Sequence, residues 1–158
     1  MKNVFMLIFF FMCYAVARSQ SCTVQPIDSN YVVKFTCRGS LQVDGKIDDT
    51  SNVELTSLDS NIVILDRIDR NSTVVITAKK GSVTIRKRID AKSNVKIICR
   101  GDIIIQGKID GGAVCDFYTE TGKLIVQDKI TGVGTVVRYH SLQPPVWGNS
   151  VSITPVAY

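Results

Sequence analysis

The sequence predicts an all-β chain wound as a parallel β-solenoid of about five to six coils with a repeat of about 21 residues, capped at both ends, and three observations carry that expectation. A ten-residue motif recurs at near-constant intervals, apolar and polar residues alternate within each copy, and no useful stretch has the apolar period of an amphipathic helix. The motif is clearest in Gly101-Asp-Ile-Ile-Ile-Gln-Gly-Lys-Ile-Asp110. It returns as Gly39–Asp48, Ser60–Asp69, Gly81–Asp90 and Gly122–Thr131. Its closing isoleucines are Ile47, Ile68, Ile89, Ile109 and Ile130, in steps of 21, 21, 20 and 21 residues. Leu41, Ile62, Val83, Ile103 and Leu124 share one position, and Val43, Ile64, Ile85, Ile105 and Val126 share another. Such β-branched alternation reads as strand. A unit this short cannot bury its apolar side alone, whereas copies stacked about 4.8 Å apart bury a continuous one. An all-β sandwich is the competing arrangement; the constant step and the matched columns favour the solenoid.

The elements follow in order. Residues 1–19 have the grammar of a secretory signal: Lys2 at the start, an apolar run from Val4 to Val16, and Ala17 and Ser19 before the expected cut. Its loss takes Lys2 and Arg18 with it and lowers the formal net charge from +5 to +3. Residues 20–38 are expected to form an N-terminal cap with an incomplete first coil. Residues 39–140 are the solenoid proper, its motifs alternating with shorter strand-like pieces that begin at Asn52, Thr73, Asn94, Val114 and Thr135. At Pro144-Pro145 the repeat breaks, so 141–158 is expected to be a cap or tail in which Trp147 plugs the last apolar end. Apolar residues make up 45% of the 158 and charged ones 21%, which excludes a disordered polar tail or a collagen. Beyond the first residues no run is apolar for the roughly 20 positions of a membrane span.

Cysteine usage points to the same compartment, secreted and extracellular. Without Cys13 the count is even, as in a disulfide-bonded exported protein. Cys22 and Cys37 flank the turn-rich Pro26–Asn30 and are expected to pair across a hairpin; Cys99 and Cys115 are the second pair by elimination. No Cys-x-x-Cys occurs and His140 is the only histidine, so no metal site and no cofactor are expected.

The Gly-x-(apolar)-x-(apolar)-x-Gly-Lys-Ile-Asp coils of residues 39–140 resemble those of right-handed parallel β-helix proteins, and most nearly the bactofilin-type repeats. The resemblance implies a stacked-coil fold. Bactofilin-type proteins are cytoplasmic filament formers without disulfides, and this chain departs from them in its exported character and its cysteines. No residue set here corresponds to the catalytic pattern of the pectate-lyase-like β-helix enzymes.

Each coil closes in a basic residue, Ile and Asp. Lys46, Arg67, Arg88, Lys108 and Lys129 are therefore expected to form a basic column on the outer surface, a binding site for a linear polyanion, with Asp48, Asp69, Asp90 and Asp110 as an acidic column beside it. Mutual neutralisation of the two rows is the plainer role. Lys79, Lys80, Arg86 and Lys87 thicken the middle of the basic row. Asn71-Ser72-Thr73 is an N-glycosylation sequon at a turn. Arg100-Gly101-Asp102 is an integrin-type tripeptide that the repeat position of Gly101 already explains. No Ser/His/Asp constellation or phosphate-cradling loop occurs. The function expected is non-enzymatic: a secreted binding or structural module engaging an anionic polysaccharide or an extracellular or host protein. A nucleic acid suits an exported protein poorly. A carbohydrate-active enzyme and a self-assembling matrix protein are the alternatives.

Overall fold

The computed structural model describes residues 20–28 and 30–158; the segment expected to be a secretory signal falls outside them. The chain winds as a parallel β-solenoid of two seven-stranded sheets joined by a ladder of single-residue bridges. One sheet is built from short strands: β1 (Cys22–Val24), β3 (Leu41–Val43), β5 (Ile62–Ile64), β7 (Val83–Ile85), β9 (Ile103–Ile105), β11 (Leu124–Val126) and β13 (Val146–Trp147). The other is built from longer ones: β2 (Val32–Cys37), β4 (Asn52–Ser57), β6 (Thr73–Ala78), β8 (Asn94–Cys99), β10 (Val114–Thr119), β12 (Val136–His140) and β14 (Val156–Ala157). Every pairing is parallel and every neighbour is one coil away. The third side is the ladder Ile27, Ile47, Ile68, Ile89, Ile109, Ile130 and Val151.

Stacking explains the motif. The short strands send Leu41, Ile62, Val83, Ile103 and Leu124 inward in one file and Val43, Ile64, Ile85, Ile105 and Val126 in the next, all buried. The long strands answer with Leu55, Ile76, Ile97 and Phe117. The 20-residue step between Ile89 and Ile109 is absorbed at the corner Cys99–Ile103, which is one residue tighter than Ala78–Val83, so no strand slips. Trp147 pairs with Val126 in register and meets Tyr139 edge-on, so residues 141–158 continue the winding at its last turn.

The corners after Ile47, Ile68, Ile89 and Ile109 are each made of two successive left-handed residues: Asp49 and Thr50, Arg70 and Asn71, Ala91 and Lys92, then Gly111 and Gly112. Only the last pair uses glycine, the residue to which this region costs least. Backbone hydrogen bonds to the next coil hold the others: Thr50 N–H donates to Arg70 O, Asn71 N–H to Ala91 O and Lys92 N–H to Gly111 O. Buried Ser51, Ser72 and Ser93 tie each corner by donating their hydroxyls to Asp48 O, Asp69 O and Asp90 O.

Two cysteine expectations need correction. The Cys22–Cys37 disulfide is present, with a Cα–Cα distance of 6.1 Å, but no hairpin carries it. β1 and β2 belong to different sheets, and the bond clips the two sides of the first coil together. Cys99 and Cys115 are free and buried. In register Cys115 stands beside Val95 and Cys99 beside Thr119, four residues further along the strand. That offset separates them by roughly 13 Å, well beyond disulfide reach. Cys115 takes a valine's place in the file Val53, Val74, Val95, Val137. Cys99 takes the place of Ser57 and Thr119, whose hydroxyls donate to corner carbonyls. Burial pushes the Cys99 thiol up to about 12 and the Cys115 thiol up as well, so both stay protonated and unreactive.

The bridge ladder gives a direct test. Ile89 is fully buried, and Ile89→Ala is expected to cost about 2–5 kcal/mol, read as a lower urea midpoint at unchanged slope.

Candidate functional site: a paired basic corner

The residues between the end of each short strand and the ladder form a second corner. Here the chain sets the basic residue immediately before the ladder isoleucine and the aspartate immediately after it. The side chains meet within the coil: Lys46 Nζ lies 2.8 Å from Asp48 Oδ2, Arg67 Nε 2.6 Å from Asp69 Oδ2, Arg88 Nε 2.7 Å from Asp90 Oδ2, and Lys108 Nζ 2.5 Å from Asp110 Oδ2. The arginines also reach the preceding coil, Arg67 Nη2 to Asp48 at 3.9 Å and Arg88 Nη2 to Asp69 at 3.8 Å. Lys46 additionally lies 3.6 Å from Asp28. The row is therefore a zipper of opposite charges that alternates up the stack. Lys129 follows the same position, but Thr131 stands where the aspartate would be, and Lys129 makes no ion pair with a described residue.

The acidic row is not on the outer surface, which corrects the expectation from strand alternation. The side chains of Asp48 and Asp69 are 0% and 4% exposed, and those of Asp90 and Asp110 12% and 17%. Alternation fails because each ladder isoleucine is a lone bridged residue and the left-handed corner starts at once behind it, turning the carboxylate under the cation. One oxygen of each aspartate lies within ion-pair distance of a cation, while Oδ1 of Asp48, Asp69 and Asp90 accepts no hydrogen bond, and Asp48 Oδ2 and Arg67 Nε are held by charge without hydrogen-bond geometry. Burial pushes the Asp90 carboxyl above the usual carboxylate range, with Arg88 opposing and the flanking Asp69 and Asp110 reinforcing the rise. At the other end, its bond to Asp48 lifts the Lys46 ammonium above its ordinary value.

The cations stay accessible: the side chains of Arg67, Arg88 and Lys108 are 32%, 44% and 40% exposed. Beside them project Arg86 and Lys87, both exposed and without an ion pair to any described residue. These side chains line a shallow groove of about 340 Å³, opened where Gly107 lacks a side chain and edged by Asp66 and Asp128. Asp66 is partly occupied, since it accepts the Arg67 N–H at 2.9 Å. Val83 and Ile85, between the two basic clusters of that coil, are fully buried.

The remaining candidates separate cleanly. Asn71 is exposed on a left-handed corner and lines a larger groove of about 790 Å³ with Arg70, Ala91 and Lys92. Asp102 of the Arg-Gly-Asp tripeptide accepts the Lys123 N–H at 2.9 Å, repeating the way Asn61 accepts that of Ser82 at 2.8 Å, so it serves the stacking. Among the described residues no cluster of three or more His, Cys, Asp or Glu side chains could hold a metal ion, and no helix is long and apolar enough to cross a membrane.

Sequence reasoning missed one feature. The last strand-like piece aligns on Val136, not Thr135, because Gly132-Val133-Gly134 lengthens that corner. A one-residue shift exchanges faces. It turns Tyr139 inward and puts His140 outside, next to Tyr118. The two extra corner glycines are the signal that could have revealed it.

Fold and corner together define a parallel β-solenoid with an internally paired charge ladder. Comparisons with protein-family models, with curated proteins and with solved structures find no match to this chain.

Because the Asp90 pKa is higher folded than unfolded, its contribution is fully present below about 3.8 and is lost as pH rises through the folded value. Asp90→Asn is therefore expected to gain on the wild type between acid and neutral pH, measured as the difference in urea midpoint across a pH series.

Proposed function

We propose that this chain is an exported, non-enzymatic binding module that engages an anionic polysaccharide, or a comparably anionic protein surface, through its basic corner. The observation carrying this reading is the pairing geometry. Asp69, Asp90 and the partly buried Asp110 hold Arg67, Arg88 and Lys108 in one line, and Arg86 and Lys87 add positive charge that no described residue pairs with. Cations pre-positioned on a rigid scaffold lose little side-chain freedom on binding a linear polyanion. The Cys22–Cys37 disulfide weakly supports an oxidising, extracellular setting. Exposure of Asn71 at a corner supports a glycan there, because a sugar at that place leaves every core file undisturbed.

Arg86 and Lys87 are the residues to change, since reversing Arg67 or Arg88 would strand buried carboxylates and unfold the corner. Retention on a heparin or polygalacturonate column is expected to fall steeply with salt and to be lost in Arg86→Glu/Lys87→Glu at unchanged Tm; unchanged retention would reduce the corner to scaffolding. Expression in a glycosylating eukaryotic host is expected to give a product whose mass drops on N-glycosidase treatment and in Asn71→Gln. Equal masses would remove the glycan from the proposal.

A further inference from the structure

The face of the long-strand sheet changes character along the stack. One outward file runs Thr36, Thr56, Thr77 and then Ile98, Tyr118 and His140 in successive coils, with Tyr158 following the last pairing of β12 with β14. Its upper half is thus an apolar and aromatic strip about 14 Å long at the coil spacing. The Tyr118 and His140 rings stack 4.8 Å apart at 10°, and His140 lies 6.3 Å from the Tyr158 ring. None of the three is sealed in: Tyr118 is 37% and Tyr158 61% exposed, and His140 is half-buried. His140 Nδ1–H donates to the main-chain oxygen of Tyr158 at 2.9 Å, because a carbonyl only accepts. That bond holds the ring through Nδ1 and leaves Nε2 as the nitrogen that no described residue engages.

Charge is distributed around this strip unevenly. A groove of about 360 Å³ on one flank is lined by Lys96, Ile98, Tyr118 and Tyr158. A second, of about 310 Å³, runs on the other side of Ile98 and Tyr118 past Lys79 and Arg100, with Glu120 its one acid. Lys79, Lys96 and the Arg100 side chain make no ion pair with a described residue, whereas Asp116 is taken up by Arg138 through two contacts, one of 2.8 Å. Because Tyr118 and His140 cover one face of each other, the groove offers Ile98, the remaining Tyr118 surface and the Tyr158 ring, and with the unmatched cations beside it this suits a molecule with an apolar face and a negative group at its edge. A uronate or sulfated pyranose has that form: ring C–H groups pack on tyrosine, acid oxygens reach lysine, and a hydroxyl can share a hydrogen bond with His140 Nε2.

We propose that the strip Ile98–Tyr118–His140–Tyr158 is a binding shelf for an acidic saccharide. The ring rests on Tyr118 and Tyr158, and Lys96 takes the anionic group. The shelf lies on the long-strand sheet, a different side of the coil from Arg86 and Lys87, and it stands independently of the function proposed for that corner.

His140, the only histidine in the sequence, gives a single-residue reporter, its imidazole Cε1–H resonance. The full chain is titrated with oligogalacturonate, with a heparin-derived oligosaccharide, and with methyl-esterified oligogalacturonate as the uncharged control. The resonance is expected to move with at least one of the acidic sugars, the responsive arm naming carboxylate or sulfate, and not with the ester. Tyr118→Ala is expected to weaken that response about tenfold, while Tyr118→Phe retains it. Lys96→Gln is expected to remove the preference for the charged sugar. Arg86→Gln/Lys87→Gln leaves the titration unchanged if the shelf is a site of its own, so failure at the corner and failure here are distinguishable. A resonance unmoved by either acidic sugar at millimolar concentration overturns the proposal. So does a shift that follows the ester equally, one that tracks Arg86 and Lys87 in place of Tyr118, or a shelf that responds to a protein partner alone.

Discussion

In-register parallel stacking is the constraint from which the rest of this molecule follows. Each coil hydrogen-bonds to the next through its backbone, so every side chain sits about one strand spacing from the equivalent residue above and below it. Inside, this repetition is favourable, because like packs on like and the aliphatic files are buried along the stack. At the surface it is costly wherever the repeated residue is charged, because it stacks like charges. The basic corner is the response: Lys46, Arg67, Arg88 and Lys108 each pair with the aspartate two residues on, and the arginines also lean on the carboxylate of the coil before.

This response has its own cost. Burying the aspartates desolvates them, and a buried pair gives little net stability over an apolar alternative. What the pairing does supply is position. It lines the guanidinium and ammonium groups up on a rigid edge, and it makes the charged columns part of the winding. The left-handed corner next to it works similarly: mostly non-glycine residues hold an unfavourable backbone conformation because a buried serine and the next coil both bond it. Ser51, Ser72 and Ser93 therefore belong with the isoleucines among the residues that maintain the coil.

The cysteines show how far column reasoning extends. Sequence parity treats four cysteines as two bridges, but the stack judges each one by its file. Among the described residues Cys22 and Cys37 open files at the first coil, and there a covalent clip is formed. Cys115 lies in a valine file and Cys99 in a hydroxyl file, and neither file brings them together. The same logic separates Tyr118 and His140 from the core: two glycines in one corner shift the following strand by a residue and move a ring from inside to outside.

The sequence by itself determined the winding, the interior columns and the identity of the basic and acidic rows, because all of these repeat locally at a fixed period. Tertiary structure alone decided which way the aspartates turn, that Cys99 and Cys115 stay free, and where the aromatic strip lies. Each of those depends on a corner. Corner geometry is fixed by backbone hydrogen bonds to neighbouring coils about 20 residues away, which alternation within a strand does not encode.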